Sequence, residues 1–197
     1  MTNHSTDYQL HLASASPRRY DLLTSMGLKV NVCPANIDET PQQNETPEKY
    51  VQRLAREKAR AALKKIGQSD KPFLAADTVV VCQGSLFGKP TDETHAIKMW
   101  QAMSGRYHQV LTAICLTDGK KTYTKLSSND VLFHEISDQA MLQYWQTGEP
   151  QDKAGAYAIQ GYAAAWVKSV KGSPSGIIGL PLYETNQMLR AFGLQWL

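Results

Sequence analysis

The sequence predicts a mixed α/β fold, of the α+β kind, in which helices flank a central twisted mixed sheet. Helix and strand patterns alternate through the first half of the chain, which is typical of helices that connect and cover strands. Two long strand patterns then meet at Asp118-Gly119, a pair that favours a hairpin, so part of the sheet should be antiparallel. With 197 residues, 42% of them hydrophobic, the chain is expected to form a single domain over residues 1–197 with a substantial core.

The first unit is predicted to be a strand over residues 8–12, a tight turn and a helix that begins at Ser16-Pro17. Serine is a favoured N-cap, and proline suits the first helical position because its missing N–H would have no partner there. Gly27 marks the end of this helix. The stretch therefore predicts a strand, a turn and a helix N-terminus in direct succession.

Groups that suit a phosphate surround this helix N-terminus. The start of a helix offers free N–H groups, Ser14 adds a hydroxyl, and the arginines that follow add planar forks for phosphate oxygens. Arg18 and Arg19 are unusual there, because cations in a first turn oppose the helix dipole and stability alone would favour Asp or Glu. The alternative interpretation is a capped surface helix whose arginines point into water.

A second strand is expected over residues 29–33, followed by a polar loop. A long helix then runs from Thr46-Pro47 to Ile66, with an apolar stripe on one side. Lys58 lies beside that stripe rather than opposite it. A lysine in this position either extends its ammonium into water or reaches an anion in a cleft.

The third strand pattern, residues 73–82, is apolar except for one carboxylate, Asp77. Burying an unpaired carboxylate is costly, so Asp77 should meet a metal, a cation or the wet end of the strand. The alternative is a capping Asp at a strand bend. Residues 84–89 resemble a P-loop only superficially, because their glycine spacing is too short and Pro90 replaces the Ser or Thr that would bind magnesium.

The remaining elements follow from helix caps, glycine stops and strand periodicity. They are a helix from Thr91 to about 104, strands over 109–116 and 123–136, a helix capped by Ser137 to about 147, a loop over 148–155, strands near 157–159 and 163–171, and a helix over 180–192. The final helix ends at Gly193, which again suits a helix stop.

Composition narrows the classes of protein that fit. A net charge of +3 is mild, and basic and aromatic residues do not interleave, so we expect no nucleic-acid partner. We expect no membrane partner either, since no apolar run approaches ~18 residues and the polar residues 1–9 contain no signal-peptide core. The three cysteines are far apart and odd in number, which favours small buried apolar residues in a reducing cytoplasm.

Short motifs recur in order along the chain, namely LASASPRR at 12–19, RLAREKA at 53–59, ADTVV at 76–80, GKP at 88–90, DKAGAY at 152–157, IQG at 159–161 and GLPL at 179–182. Together they resemble the motifs of the Maf family of nucleoside triphosphate pyrophosphatases. The resemblance covers nearly the whole chain, from Leu12 to about Phe192, and the combination of motifs makes it specific.

The resemblance implies a fold similar to that of the inosine triphosphate pyrophosphatases, with a deep cleft between two lobes, and a homodimer. It implies hydrolysis of a nucleoside triphosphate between the α- and β-phosphates, giving the monophosphate and pyrophosphate, with a divalent cation, Mg²⁺ or Mn²⁺. Arg18, Thr78 and Gln160 match the subgroup that cleaves dTTP and UTP. The 7-methyl-GTP subgroup instead tends to carry Gln and Glu at the second and third of these positions.

The resemblance assigns proton acceptance to Asp77, and the expected catalytic group is Asp77, Lys58 and Glu39. Attack on a phosphoanhydride needs a metal, cations and a base for water. Glu39 and Asp77 are the best candidates for the metal ligands, because Mg²⁺ and Mn²⁺ prefer oxygen donors.

The other expected site residues bind the substrate. Those assigned to the phosphates are Ser14, Arg18, Arg19, Lys58 and Lys89, with Lys153 at the cleft edge. Thr78 and Gln160 are expected to recognise the base, because a glutamine amide offers a donor and an acceptor that can match uracil or thymine.

Two further interpretations stay open at this point. The historical association of the family with septum formation allows a nucleotide-binding regulator of cell division without essential catalysis. A second enzymatic alternative is the removal of modified pyrimidine triphosphates such as pseudo-UTP or 5-methyl-UTP. A pyrophosphate-release assay over a panel of nucleotides distinguishes these possibilities.

Overall fold

The computed structural model describes residues 7–194, within which helices and strands alternate through the first half as predicted. Short 3₁₀ turns occupy residues 149–152, 154–156 and 162–166. The strands and α-helices, in chain order, are β1 Leu10–Leu12, α1 Pro17–Ser25, β2 Val30–Val32, α2 Pro47–Ile66, β3 Phe73–Cys82, β4 Ser85–Phe87, α3 Glu93–Met103, β5 Tyr107–Thr117, β6 Thr122–Phe133, α4 Asp138–Gln146, β7 Val167–Lys171, α5 Pro174–Ile178 and α6 Leu182–Ala191.

One mixed sheet contains these strands, in the order β2-β1-β3-β5-β6-β7, with β4 paired to β3. β1 runs parallel to β2 and β3, whereas β3, β5, β6 and β7 form successive antiparallel pairs. The hairpin between β5 and β6 turns at Asp118-Gly119, as predicted: the Asp118 carboxylate accepts the N–H groups of Lys120 and Lys121, and Gly119 has a φ of +88°. The mixed α/β prediction is therefore confirmed.

An opening along one edge of β3 positions the functional groups. On this edge β3 pairs with β1 at Phe73 and Leu74, and with β4 only from Val80 onward. Within the described residues, the intervening stretch 75–79 has no strand beside it on this side, while its other edge pairs with β5 throughout. The middle of a buried strand therefore borders a groove.

Alternate residues of β3 belong to different core clusters, because side chains of a strand point to opposite faces in turn. Phe73 and Ala75 pack with the apolar stripe of α2, whereas Leu74 packs with residues of α1 and α6. Asp77 lies on the same face of β3 as Phe73 and Ala75, so its side chain projects toward α2. Thr78 lies on the opposite face, with Leu74, and projects toward α1.

Two predicted strands differ from the structure. None forms at residues 157–159, because the N–H of Ala158 donates to the Tyr144 hydroxyl at 3.1 Å instead of to a neighbouring strand. The strand predicted over 163–171 begins only at Val167, since the N–H of Ala164 donates to the Gly161 carbonyl at 3.0 Å and closes a 3₁₀ turn.

Boundaries and short elements account for the other differences. The strand predicted to extend to residue 136 ends at Phe133, and the predicted loop over 148–155 contains two 3₁₀ turns. β4 and α5 were not predicted, because three or five residues are too few for a periodic pattern.

The three cysteines are buried and form no disulfide, as predicted. Residues 1–6 of the polar N-terminus and residues 195–197 of the predicted domain lie outside the described residues. Between residues 7 and 194, no helix combines the length and the apolar character needed to cross a bilayer.

Candidate active site

A groove with a volume of about 450 Å³ lies beside the free edge of β3. It is lined by the turn before α1 and the start of α1, the loop after β2, α2, β3, the segment after β4, residues 152–160 and α5. The ten site residues predicted from the sequence all line it, namely Ser14, Arg18, Arg19, Glu39, Lys58, Asp77, Thr78, Lys89, Lys153 and Gln160. Tertiary folding therefore gathers residues from six separate parts of the chain at one place.

Lys58 lies between two carboxylates. Its ammonium nitrogen is 2.5 Å from Asp77 Oδ1 and 2.8 Å from Glu39 Oε1. The side chains of Lys58 and Asp77 are 13% and 8% exposed, whereas that of Glu39 is 54% exposed. Of the two interpretations of this lysine, contact with an anion in a cleft is confirmed and extension into water is wrong.

Burial raises the pKa of Asp77 above its ordinary value, because the charged carboxylate loses its water. Lys58 is the strongest opposing influence, followed by Arg19, and both favour the ionised form. The expectation that Asp77 meets a cation is confirmed. A capping role at a strand bend does not fit, because β3 continues through this residue to Cys82.

The loop that carries Glu39 is anchored on α2. Tyr50 donates its hydroxyl to the Glu39 carbonyl at 2.8 Å, and burial raises the pKa of Tyr50 to about 12, so it stays a donor. Arg53 donates to the Thr40 carbonyl at 3.1 Å and to the Glu45 carboxylate at 2.7 Å. The sequence analysis did not assign a role to Tyr50 or Arg53, although the latter opens the second motif.

Arg19 is held by three acceptors. Its Nε donates to the Gly179 carbonyl at 2.9 Å, its Nη1 to Ser14 Oγ at 3.1 Å, and its Nη2 to Thr78 Oγ1 at 3.1 Å. A guanidinium has five N–H donors, so two remain for a ligand. The side chain is therefore turned into the groove, and for this arginine the interpretation of a side chain pointing into water is wrong.

The start of α1 differs from the prediction in one detail. Ser16 occupies the N-cap position, but its side chain makes no capping hydrogen bond. Its N–H instead donates to Ser14 Oγ at 3.2 Å. Ser14 is only 8% exposed, and its hydroxyl hydrogen is still available as a donor because its oxygen accepts the hydrogen bonds from Ser16 and Arg19.

Three further cations border the groove. Arg18 Nη1 lies 3.8 Å from Asp152 Oδ2, a distance that indicates a weak, partly exposed ion pair. Lys153 donates to the Glu149 carbonyl at 2.8 Å and also contacts Asp152. Lys89 is exposed and lines the groove. The groove thus combines five cationic side chains with three carboxylates, those of Glu39, Asp77 and Asp152.

Gln160 is exposed on the groove wall, in a segment that is held from behind. The Tyr144 hydroxyl accepts the N–H of Ala158 at 3.1 Å and donates to Glu149 Oε1 at 2.6 Å. Glu149 Oε2 accepts the N–H of Tyr162 at 3.3 Å. The residue after Gln160 is glycine, and a Cβ added there would lie 1.9 Å from the Glu149 carboxylate, so a larger residue would displace this carboxylate from its hydrogen bonds.

Comparison with known proteins identifies the family of this chain. A family described as Maf-like protein matches residues 9–192. The chain belongs to the Maf family. A Maf relative from Neisseria meningitidis serogroup A, a dTTP/UTP pyrophosphatase, is 46% identical over 189 residues, which cover 93% of this chain and 94% of the relative.

Two further Maf relatives extend this similarity to nearly full length. A dTTP/UTP pyrophosphatase from Chromobacterium violaceum is 43% identical and covers 97% of this chain and 98% of its own length. One from Pseudoalteromonas atlantica is 46% identical, over 94% of this chain and 97% of the relative. The matched region therefore includes every element that lines the groove.

The Maf family implies a divalent cation, and the donors in the groove fit one. Magnesium is usually held by one or two carboxylates together with water and substrate phosphates. Glu39 and Asp77 both contact Lys58, so their oxygens converge on one point. Among the described residues, no group of three or more His, Cys, Asp or Glu side chains comes together that could hold a metal ion.

Proposed function

We propose that this protein hydrolyses dTTP and UTP to the nucleoside monophosphate and pyrophosphate. The observation that carries the proposal is the buried Asp77, in contact with Lys58 and in the same groove as the partly unpaired guanidinium of Arg19. The relatives at 43–46% identity are dTTP/UTP pyrophosphatases, which supports the same substrates for this chain.

In this proposal Asp77 accepts the proton of the water that attacks the α-phosphorus. Its pKa is raised by burial, which makes the carboxylate a stronger base than one in water. Lys58 holds the carboxylate in the groove and balances its charge. Glu39 and Asp77 would bind Mg²⁺ or Mn²⁺, which supplies charge neutralisation at the phosphates when bound.

The cations of the groove bind the triphosphate. Arg19 directs two spare N–H donors at phosphate oxygens, Arg18 and Lys89 add charge, and Ser14 offers a hydroxyl donor. Because the acceptors of Arg19 already restrict its rotamers, little side-chain entropy is lost when the ligand binds. Gln160 would recognise the base through its amide, and Thr78, which lines the same groove, would contribute to this recognition. Lys153 lies at the edge of the groove.

The decisive experiment is pyrophosphate release over a panel of nucleoside triphosphates, with Mg²⁺ or Mn²⁺ and with EDTA as the control. We expect dTTP and UTP to be cleaved in preference to ATP, GTP and CTP. The panel includes pseudo-UTP and 5-methyl-UTP, which tests the wider activity on modified pyrimidines. Nucleotide binding without pyrophosphate from any member would contradict the proposal and favour a binding regulator of cell division.

Gln160→Glu should lower kcat/KM for dTTP and UTP more than for the other nucleotides, by about tenfold, because the amide donor is lost. The measurement is the ranking of kcat/KM over the same panel. Gln151→Glu is the matched control, since it makes the same change at an exposed residue that does not line the groove. An unchanged ranking in the Gln160 variant would remove this residue from base selection.

The pH dependence of kcat/KM should report the pKa of Asp77. The base acts only when ionised, so activity should rise with pH through a pKa that burial places above the ordinary value. Lys58→Met should move this acidic limb to higher pH, because it removes the main influence that lowers the pKa. Lys89→Met should reduce activity without moving the acidic limb of the pH profile. An acidic limb at the same pH in the wild type, Lys58→Met and Lys89→Met would contradict the assignment of Asp77 as the base.

We further propose that the chain works as one domain in the cytoplasm, as a homodimer and without a nucleic-acid or membrane partner. The buried, unpaired cysteines and the mild net charge of +3 support this view. In this proposal, the groove beside β3 corresponds to the cleft between two lobes that the family resemblance implies. Size-exclusion chromatography with light scattering measures the oligomeric state directly.

A further inference from the structure

Thr112 is a buried hydroxyl residue that neither the sequence motifs nor the proposed chemistry uses. It lies in β5 directly opposite Thr78 of β3, is fully buried, and does not line the groove. Its hydroxyl nevertheless contacts two elements that border the groove. Thr112 Oγ1 is 2.9 Å from Thr78 Oγ1 and 2.8 Å from the carbonyl oxygen of Gly176 in α5.

The hydrogen bonds around Thr112 have one consistent direction. A carbonyl oxygen only accepts, so the single hydroxyl hydrogen of Thr112 is donated to Gly176. Thr112 therefore accepts from Thr78, and the oxygen of Thr78 is left to accept from Arg19 Nη2 at 3.1 Å. If Thr112 could not accept, the Thr78 hydroxyl would have no defined orientation toward the arginine.

The segment around α5 accepts hydrogen bonds from both Thr112 and Arg19. The carbonyl of Gly176 receives the Thr112 hydroxyl, and three residues later the carbonyl of Gly179 receives Arg19 Nε at 2.9 Å. The start of the segment is held as well, because Asn129 accepts the N–H of Ser173 at 2.6 Å. Arg19, Thr78, Thr112 and α5 thus form a closed ring of contacts behind the groove.

We propose that Thr112 is a positioning residue that fixes the guanidinium of Arg19 through the hydroxyl of Thr78. The inference rests on the proposed function, in which Arg19 binds substrate phosphates. An arginine side chain has many rotamers, and an interaction that selects one before binding reduces the entropy lost with the ligand. Thr112 supplies this selection without touching the substrate.

The test compares variants that separate the hydroxyl from the volume of the side chain. Thr112→Val keeps the shape and removes the hydroxyl, whereas Thr112→Ser keeps the hydroxyl and removes a methyl group. We expect the valine variant to raise the KM for UTP about tenfold with a smaller change in kcat, because Arg19 binds the phosphates before and during reaction. The serine variant should stay within about twofold of wild type.

A purely structural role predicts the opposite order. Serine would leave a small cavity and be the more damaging change, while valine would fill the space. Thermal unfolding of each variant measures this effect separately from KM. Thr112→Ala gives a second hydroxyl-free protein for comparison with Thr112→Ser if valine does not fold. A KM order that follows the unfolding temperatures, rather than the presence of the hydroxyl, would overturn the proposal.

A double-mutant cycle tests whether Thr112 acts through Thr78. In a Thr78→Val background, Thr112→Val should cause little further loss, because the connection to Arg19 is already broken. If the increases in KM from the two substitutions multiplied instead, the proposal that Thr112 acts through Thr78 would be overturned. Calorimetric binding of UTP in EDTA repeats the comparison without turnover. If the wild type released no pyrophosphate but its UTP binding still depended on the Thr112 hydroxyl, only the proposed function would be contradicted. If the wild type were active and Thr112→Val had no effect, only the positioning role would be contradicted.

Discussion

Asp77→Asn should lower kcat for dTTP and UTP about a thousandfold while leaving UTP binding measurable. The substitution keeps the shape of the side chain but removes its basicity, and loss of a general base commonly costs a factor of 10² to 10⁴. Lys58 retains Glu39 at 2.8 Å, so the groove keeps one carboxylate in contact with this cation. The measurement is pyrophosphate release in single-turnover and steady-state assays, with UTP affinity determined by calorimetry.

Stability should change little in this variant. Burial disfavours the charge that asparagine removes, and a carboxylate with a raised pKa contributes less stability once the pH exceeds that pKa. Asp21→Asn is the matched control, since it makes the same change at an exposed residue of α1 outside the groove. Turnover near the wild-type rate in Asp77→Asn would exclude this residue as the base.

Arg19→Lys should lower kcat/KM about a hundredfold, or about 2.7 kcal/mol at 1.36 kcal/mol per factor of ten. Lysine keeps the positive charge but cannot reproduce a planar fork that contacts three acceptors and still presents donors to a phosphate. The loss should fall mainly on KM, because the phosphates contact this residue before and during reaction. The measurement is kcat/KM for UTP and dTTP.

Arg106→Lys provides the comparison for this prediction. Arg106 also donates to main-chain carbonyls, at 3.1 Å to Ala102, but it is exposed and does not line the groove. A general intolerance of lysine for arginine would affect both variants. Equal kcat/KM in Arg19→Lys and wild type would remove the guanidinium from phosphate binding and would leave its three acceptors with a structural role only.

The electrostatics of the groove explain how a carboxylate and several phosphates can share one site. Asp77 has Lys58 at 2.5 Å, so its charge is partly balanced before any ligand arrives. Arg19 is the next cation that lowers the pKa of Asp77, and two of its donors remain for the phosphates. Asp77 therefore projects from one face of β3, while Thr78 on the other face holds Arg19.

The local signals in the sequence were sufficient for much of this site. Ser14, Arg18 and Arg19 are close in the chain, so a strand, turn and helix over adjacent residues were enough to bring them to one helix N-terminus. Asp77 could be identified because burying an unpaired carboxylate in an apolar strand costs free energy, so this residue needs a partner. The partner itself was ambiguous, since the position of Lys58 beside an apolar stripe allowed both water and an anion.

The segment over 157–161 shows where local reasoning failed. Its apolar residues predicted a strand, but the N–H of Ala158 bonds a tyrosine hydroxyl of α4 and the turn packs on the carboxylate of Glu149. These partners are 14 and 12 residues away from the groups they hold, and no periodicity in the segment indicates them. The exposed position of Gln160 follows from these contacts rather than from the sequence of the segment.

By itself, the sequence determined the alternation of helices and strands, the helix N-terminus with its arginines and the isolation of one acid in a buried strand. These features depend on residues that are neighbours in the chain. Only the tertiary structure decided that β3 has a free edge over 75–79, that Lys58 faces Asp77, and that α5 and Thr112 hold Arg19. The reason is physical: strand pairing and hydrogen bonds between distant residues depend on distances that exist only after the chain has packed.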